Sequence, residues 1–385
     1  MAELAADVVI AGGGPVGLFL AALLLQEGVA VKVLEQRQSR NQHTRAIGIH
    51  PPALRALARV GVASTMVQEG VRIRKGVALS GGKTVGTMDF GTVSADFPFV
   101  LALPQFRTEK ILEDRVRALD PDALVRGANV TGLTDHGGRV TVAFDSTEHS
   151  SHGPARATAA LLVAADGARS GLRATLGVTA SRRTYPDHYL MGDFDDDSGL
   201  GEKAALFLEQ QGIVESFPLP GGIRRWVVRL NCPAGAATAA DLAGLVRRRT
   251  GIRPDPATTS MLSAFSVSSA IARRAVAGRT ILLGDAAHEI SPIGGQGMNL
   301  GWFDAEALAP LVSLAVAGGP AHSQFSDFER ARRRAAVRAR RQAEINMALG
   351  RPLAAPLLRI RTAALRTAAS IPAVNRWAGR RFTMQ

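Results

Sequence analysis

Short apolar runs separated by glycine-rich turns form the main pattern in the first part of the chain. Residues 7–11 predict a buried strand, residues 16–26 an apolar helix and residues 29–34 a second strand. Parallel strands covered on both faces are apolar throughout, and a strand, a helix and a second strand within about thirty residues make a βαβ unit. The pattern therefore predicts an α/β fold that opens with such a unit.

The pattern changes further along the chain. Between residues 185 and 230, longer alternating strands such as 212–218 and 224–230 replace the apolar runs. The other predicted elements are a strand-rich segment over 73–88, a hairpin over 128–144, strands over 160–165 and 280–283, and helices over 52–60, 109–119, 241–250, 299–317, 325–349 and 363–369. This order predicts a parallel sheet assembled from separated segments, a sheet-rich insertion and a helical C-terminal part.

Charge is concentrated at one end of the chain. The net charge is +13, yet residues 330–385 alone hold 14 arginines and one acid, Glu344, and the rest of the chain is balanced. Few aromatic residues lie between these arginines, so we expect no nucleic-acid partner. The arginine-rich helix could bind an acidic partner or a membrane surface, or it could pair with acids of the same chain.

Cysteine content and apolar segments restrict the class of protein. Cys232 is the single cysteine, which excludes an intramolecular disulfide and a cysteine-based metal centre and fits a reducing compartment. Glycines interrupt the apolar run 8–25, and arginines interrupt the run 353–374. We therefore expect a cytoplasmic protein with no metal and no integral membrane association.

A glycine motif lies between the first strand and the first helix. Residues 12–17 have the sequence GGGPVG, in which Gly12 permits a tight turn, Gly14 lets a pyrophosphate approach the backbone and Gly17 allows the helix to pack on the strand. Glu35 ends the second strand, where a carboxylate accepts ribose hydroxyls. Together these features predict a dinucleotide bound at the helix N-terminus.

Two further motifs follow buried strands. Residues 165–170, ADGARS, would by themselves indicate an ordinary Asp-Gly turn. Residues 281–288, ILLGDAAH, place Asp285 after a strand, where it can hold a ribityl or ribose hydroxyl. Residues 292–299, PIGGQGMN, then open a helix whose first N–H groups suit a developing negative charge.

In combination, these motifs resemble the group A flavoprotein monooxygenases, the para-hydroxybenzoate hydroxylase-like family that includes aromatic polyketide hydroxylases. The segments RAIGIH at 45–50 and LPQFRTE at 103–109 are also similar to that family. The chain departs from the family pattern at Glu289 and Ser291. We expect a member of the family without the thioredoxin-like C-terminal domain that larger polyketide hydroxylases carry.

The resemblance implies a Rossmann-like FAD-binding domain with an inserted mixed β-sheet substrate domain and C-terminal helices. The expected boundaries are 1–72, 100–180 and 270–350 for the FAD-binding domain, 73–99 and 181–269 for the substrate domain, and 351–385 for a basic helical segment. The implied reaction uses NAD(P)H and O2, through a flavin C4a-hydroperoxide, to hydroxylate or epoxidise an aromatic or polycyclic small molecule.

The resemblance also assigns residues to the cofactor. Those implied to bind FAD are Gly12, Gly14, Pro15, Val16, Gly17, Glu35, Gln36, Arg45, Gln105, Asp166, Gly167, Gly284, Asp285, Gly295, Gly297 and Met298. The flavin ring is expected near Pro292, Gly297, Met298 and Asn299, and the Asp166–Gly167 turn is expected to serve NAD(P)H as well.

The substrate end of the site is less specific in the sequence. The inserted sheet would cover the flavin ring, and its candidate pocket residues are Tyr189, Met191, Phe207, Glu215, Phe217, Trp226 and Arg229. Each of these residues could equally belong to an ordinary core. His188 is a candidate base for a phenol, although a lone histidine is more often structural.

Other functions of the same fold remain open from the sequence. A halogenase is disfavoured because the three tryptophans are far apart. A prenyl-lipid reductase would oxidise NADPH without oxygen. A flavin-binding scaffold without activity is the non-enzymatic alternative.

Overall fold

The computed structural model describes residues 3–40, 46–146, 155–320 and 322–384. Its strands are β1 Glu3–Ala5, β2 Val8–Ala11, β3 Val31–Glu35, β4 Gly48–Ile49, β5 Val71–Ile73, β6 Lys75–Ser80, β7 Lys83–Asp89, β8 Val100–Ala102, β9 Leu124–Arg126, β10 Ala128–Asp135, β11 Val140–Ser146, β12 Ala155–Ala159, β13 Leu161–Ala164, β14 Ala180–Asp195, β15 Ala204–Phe207, β16 Val214–Leu219, β17 Ile223–Leu230, β18 Met261–Ala272, β19 Val276–Ala277, β20 Thr280–Leu282 and β21 His288–Glu289.

The helices alternate with these strands in the first half of the chain and follow them in the last quarter. They are α1 Pro15–Gln26, α2 Pro51–Ala58, α3 Ala63–Glu69, α4 Gln105–Leu119, α5 Gly171–Thr175, α6 Ala239–Thr250, α7 Gln296–Val316, α8 His322–Gly350, α9 Ala355–Ser370 and α10 Pro372–Phe382. None of the helices among the described residues is long and apolar enough to cross a membrane.

The first sheet has six strands in the order β19-β20-β13-β2-β3-β9. Neighbouring strands from β20 to β9 run parallel, and β19 is antiparallel to β20. Side chains alternate across the sheet, so Val8 and Ile10 pack under α1, α4 and α7, whereas Val9 and Ala11 pack against a four-stranded sheet, β1-β12-β11-β10. Burial on both faces explains why β2 is apolar throughout.

A second sheet has eight strands in the order β21-β18-β14-β17-β16-β15-β6-β7. Every neighbouring pair is antiparallel except β15 and β6, which join residues 204–207 to residues 76–79 in parallel. Helix α6 covers one face of this sheet, and the other face turns towards the glycine-rich turns of the parallel sheet. The expected α/β fold with an inserted mixed sheet and C-terminal helices is confirmed.

The C-terminal helices differ most from the expectation. The pattern at 363–369 predicted only the second half of α9, and α10 lies in the segment 351–385, which was expected to be helical but without bounds for a second helix. Arginines interrupt the apolar positions of both helices, and the two helices leave large apolar side chains exposed, Leu357, Ile360 and Trp377 among them. A weakly amphipathic, arginine-rich sequence carries little signal for a packed helix.

Candidate functional site

A cavity of about 1570 Å³ lies between the parallel sheet and the eight-stranded sheet. The carboxyl ends of β2, β3, β13 and β20 open into it, because Gly12, Glu35, Asp166 and Asp285 all line its wall. Ligands of parallel α/β sheets bind at this edge. The structure therefore brings together motifs that lie up to 273 positions apart in the chain.

The three glycines of the first turn have different roles. Gly12 has φ 112°, and a Cβ atom there would overlap the carbonyl oxygen of Ala165; a Cβ atom on Gly17 would overlap the carbonyl oxygen of Gly12. At Gly14, by contrast, φ is −78° and no other described atom lies within 4 Å of a Cβ position. The fold itself needs Gly12 and Gly17, whereas Gly14 leaves open space at the N-terminus of α1, which fits a pyrophosphate.

Glu35 is buried beside this turn. Its Oε2 accepts the N–H of Gly13 at 2.7 Å, and its Oε1 accepts the N–H and Nε of Arg37, each at 2.8 Å. Burial alone would raise the pKa of Glu35, but the bonds from Arg37 and Gly13 outweigh it, and the pKa lies below the usual range. An ionised carboxylate thus stands at the end of β3, with Gln36 and Gln105 also lining the cavity.

The Asp166–Gly167 turn lies on the other side of the glycine turn. Asp166 Oδ2 accepts the N–H of Leu172 at 3.1 Å, and Oδ1 has no hydrogen-bond partner among the described residues. Arg173 donates to the carbonyl oxygens of Ala168 and Ala286, at 3.0 and 2.9 Å. These bonds tie the turn to the loop after β20, so the turn is more than a simple connection.

Asp285 lies in a 3₁₀ turn, Gly284–Ala286, directly before the glycine-rich loop. Its side chain is accessible to the cavity, although it lies deep in the protein, and the surrounding protein desolvates the carboxyl and raises its pKa to about 6. It makes no hydrogen bond to any residue that the structure describes. A hydroxyl group of a ligand in the cavity would supply the missing donor.

Helix α7 is held close to the glycine turn. Trp302 Nε1 donates to the carbonyl oxygen of Pro15 at 3.0 Å, and a Cβ atom on Gly301 would meet the side chain of Val16. Val16, like Pro15, lines the cavity. The N-termini of α1 and α7 therefore both face the cavity, and each contributes the positive end of a helix dipole.

Asn299 positions the loop before α7. Its Oδ1 accepts the N–H of His50 at 2.9 Å, and its Nδ2 donates to Gly48 O at 2.9 Å and to Gly295 O at 2.6 Å. It is fully buried and does not line the cavity, which corrects the expectation that it faces the flavin ring. Its fixed contacts instead place the residues of the loop that do line the cavity, namely Pro292, Gly295, Gly297 and Met298.

The eight-stranded sheet divides the candidate substrate residues. Met191 and Phe217 line the cavity, whereas Phe207 and Trp226 lie on the opposite face, 6.1 Å apart between ring centroids, beneath α6. Side chains alternate along a strand, so neighbours in the sequence cannot share a face. The expectation that Phe207 and Trp226 line the pocket is corrected for this reason.

Two other candidates also lie outside the cavity lining. His188 is on the same face as Leu190, half-buried, with Nδ1 2.8 Å from Ser266 Oγ. Arg229 lies beyond the end of the cavity, where its Nε donates to Asp187 at 2.9 Å. His188 is therefore not placed to act as a base on a ligand in the cavity. Arg45 lies outside the described residues.

His50 was not singled out from the sequence, although it belongs to the RAIGIH segment. It lines the cavity, is 1% exposed, and its Nδ1 has no hydrogen-bond partner among the described residues. Burial lowers the pKa of His50 to about 4, so the ring is neutral at ordinary pH. Phe382 of α10 packs against it, with ring centroids 5.5 Å apart.

The C-terminal helices form a wall of the cavity, which the sequence did not indicate. Asn375 Nδ2 donates to Thr87 O at 2.7 Å, and Phe382 lies 5.8 Å from the ring of Phe90. The residues of α9 and α10 that line the cavity are Leu365, Ala368, Ala369, Val374, Asn375, Trp377, Ala378, Arg381 and Phe382. The segment with the highest positive charge therefore contributes mainly apolar side chains to the site.

His288 lies behind the glycine-rich loop, outside the main cavity. It is buried and pairs with Asp304, which also pairs with Arg332 of α8. Burial favours the neutral ring, but Asp304 outweighs it and raises the pKa of His288 above its usual value. The group joins α7 and α8 to the loop.

Comparison with known proteins agrees with this geometry. The FAD binding domain family model matches residues 5–343. An uncharacterized aromatic compound monooxygenase of Bacillus subtilis is 30% identical over 326 residues, which are 81% of this chain and 62% of that protein. The 12-dehydrotetracycline 5-monooxygenase/anhydrotetracycline 6-monooxygenase of Streptomyces rimosus is 30% identical over 341 residues, 85% of this chain and 66% of that protein. The chain thus spans less than two thirds of the length of these curated relatives.

The fold is also that of a solved structure. The crystal structure of p-nitrophenol 4-monooxygenase from Pseudomonas putida matches with a TM-score of 0.88 and 24% identity, over 100% of this chain and 99% of that chain. The family match confirms FAD as the cofactor that the three motifs predicted. The chain belongs to the FAD binding domain family.

Proposed function

We propose that this protein is a monooxygenase that uses FAD, NAD(P)H and O2 to hydroxylate or epoxidise an aromatic or polycyclic small molecule. The observation that carries the proposal is the continuity of one cavity from the glycine turn to the apolar face of the eight-stranded sheet. Cofactor and substrate groups can therefore meet within a single cavity of the protein.

The residues at the parallel sheet fit the cofactor. Gly14 would admit the pyrophosphate, Glu35 would accept hydroxyls of the adenosine ribose, and Asp285 would accept a hydroxyl of the ribityl chain. Gly297 and Met298 open α7, so its dipole would stabilise negative charge on the reduced flavin ring. FAD, when bound, supplies the redox chemistry by carrying electrons from NAD(P)H to oxygen.

The residues at the second sheet fit an apolar substrate. Met191, Leu206, Phe217 and Val227 face the cavity from four strands, and α9 and α10 close it from the other side. Such walls exclude water and hold a flat ring system by dispersion and burial. The names of these two relatives refer to aromatic and tetracycline-type substrates, which supports an aromatic or polycyclic substrate for this chain.

The division of labour between segments is part of the proposal. We assign FAD binding to 1–72, 100–180 and 270–350, and substrate contacts to 73–99 and 181–269. The segment 351–385 adds a wall of the substrate end. A cytoplasmic location agrees with the single cysteine and completes the proposal.

The test is turnover by the purified protein. NADPH and NADH oxidation, oxygen consumption and peroxide release would be recorded across a panel of phenols and polycyclic aromatics. We expect at least one aromatic compound to stimulate nicotinamide oxidation with little peroxide released. Nicotinamide oxidation that continues without oxygen would instead indicate a reductase, and no oxidation with any compound would indicate a halogenase or a scaffold.

A further inference from the structure

Glu215 is a carboxyl group in an otherwise apolar part of the cavity wall. It lies on β16, is 8% exposed, and lines the cavity. Its cross-strand neighbours are Leu206 on β15 and Val227 on β17. The flanking residues that also line the cavity are Ile213, directly before β16, and Phe217 within it. Cross-strand neighbours lie within contact distance of each other, so the carboxyl group is surrounded by apolar side chains.

No residue of the described chain satisfies this carboxyl group. It makes no hydrogen bond or ion pair with any of them. The arginines of β17 on the same face already bind other acids: Arg225 donates to both oxygens of Asp193, at 2.6 and 2.7 Å, and Arg229 binds Asp187. Burial without a partner raises the pKa of Glu215 to about 7. Such a group destabilises the folded protein unless something else uses it.

We propose that Glu215 is the hydrogen-bond acceptor for a phenolic or enolic hydroxyl of the substrate, and that it selects hydroxylated ring systems and fixes their orientation in the cavity. This inference rests on the proposed function only in that the cavity receives an aromatic substrate. A neutral hydroxyl suits the site better than a cationic amine, because the apolar neighbours would impose a large desolvation cost on a second charge.

The position of Glu215 gives the contact its orienting effect. The row Met191–Val227–Glu215–Leu206 crosses four strands and forms an apolar floor of the cavity, in which Glu215 is the one carboxyl group. A flat ring system can lie on this floor in many orientations, but only some of them place a hydroxyl at the carboxyl group. The orientation would then decide which carbon faces the flavin.

The test measures binding of matched probes to the FAD-loaded protein, followed through the change in flavin absorbance. Two pairs of probes are used. The first is 2-naphthol with 2-methoxynaphthalene, and the second is 2-hydroxyanthraquinone with 2-methoxyanthraquinone. Within each pair, the ether has a methoxy group in place of the hydroxyl donor. We expect the wild-type protein to bind at least one of the two hydroxyl compounds roughly 10- to 100-fold more tightly than its ether, as for a hydrogen bond to an acceptor that would otherwise stay buried and unsatisfied. In Glu215→Leu this preference should disappear, and in Glu215→Gln it should fall in between.

A control variant separates the carboxyl group from other features. Tyr189→Phe removes a buried hydroxyl that lies outside the cavity lining and has no partner among the described residues. This variant should keep the preference for the hydroxyl compound. A preference that persists in Glu215→Leu would overturn the proposal, as would a wild-type protein that shows no preference for the hydroxyl in either pair.

Three further outcomes are informative. A loss of FAD from Glu215→Leu would assign the carboxyl group to the cofactor and overturn the proposal. Carboxylate-dependent binding of 2-(aminomethyl)naphthalene in preference to 2-naphthol would overturn the choice of a hydroxyl. A Glu215-dependent preference in a protein that shows no substrate-stimulated NADPH oxidation would support this inference while the proposed function fails.

Discussion

The different surroundings of Gly14 and Gly17 allow cofactor binding to be separated from folding. In Gly14→Val, the new side chain enters open space at an extended backbone, so the apoprotein should keep its stability. Replacing the N-cap glycine destabilises the folded protein by about 1 kcal/mol or less. The stiffer unfolded chain stabilises it by about 1 kcal/mol or less, so the two effects oppose each other. In Gly17→Ala, the methyl group meets the carbonyl oxygen of Gly12, and overpacking of this kind costs about 1–3 kcal/mol.

The effect on the holoprotein follows from linkage. A ligand present at a thousand times its dissociation constant stabilises the folded state by about 4 kcal/mol. For 385 residues, an unfolding entropy of about 2.1 cal/mol/K per residue converts this to a Tm shift of roughly 5 °C. We therefore expect FAD to raise the Tm of the wild-type protein by about this amount and to leave the Tm of Gly14→Val unchanged.

The assay is thermal unfolding with and without excess FAD, together with the FAD content of the purified proteins. Gly14→Val should be colourless and as stable as the wild-type apoprotein, whereas Gly17→Ala should be less stable even without FAD. A yellow Gly14→Val protein with a normal FAD-induced shift would refute the reasoning. An apoprotein of Gly14→Val that is as unstable as Gly17→Ala would show that the open space at Gly14 belongs to the fold.

Three other perturbations test separate parts of the site. Asp285→Ala should weaken FAD retention about 10-fold or more, since a ribityl hydroxyl loses its acceptor, and FAD content after gel filtration checks this; unchanged content would remove Asp285 from the cofactor site. Ending the chain after Ala354 should leave FAD bound, because the glycine and aspartate motifs precede it, but it should raise peroxide release, because α9 and α10 no longer cover the cavity. A colourless folded product would contradict the first expectation, and unchanged peroxide release would contradict the second. Glu215→Leu should stabilise the apoprotein relative to wild type by an amount that increases by about 3 kcal/mol between pH 4.5 and pH 7 and then levels off. The sign follows because the folded state, with the raised pKa of about 7, holds a proton that the unfolded state has lost in this range, so wild-type stability falls as pH rises. Denaturant unfolding of both proteins across this range measures the difference, and a constant difference would show that Glu215 is not buried as an unpaired acid.

The cofactor end of the site could be predicted from the sequence because its chemistry is local. The turn at 12–17 needs glycine for backbone reasons that lie within a few residues, and Glu35 follows one helix and one strand later. The other two motifs follow strands β13 and β20. Both strands are apolar on both faces, which is typical of buried parallel strands. Since the carboxyl ends of parallel strands share one edge of a sheet, motifs far apart in the sequence could be expected to meet.

The substrate end could not be predicted because it depends on which face of each strand is covered. Phe207 and Trp226 were as plausible as Met191 and Phe217 until α6 was seen to cover one face of the sheet. The alternation of side chains gives two faces, but it does not say which of them meets the cavity.

The sequence by itself thus determined the parallel sheet, the glycine turns and the acids that line the cavity at this sheet, because these follow from backbone conformation and from short-range spacing. Only the tertiary structure decided that residues 76–79 pair with residues 204–207, that α9 and α10 close the cavity, and that Glu215 has no partner within the described chain. These features arise from contacts between segments that are distant in the sequence. How deeply a side chain is buried, and which charge it pairs with, is decided only when those segments pack together.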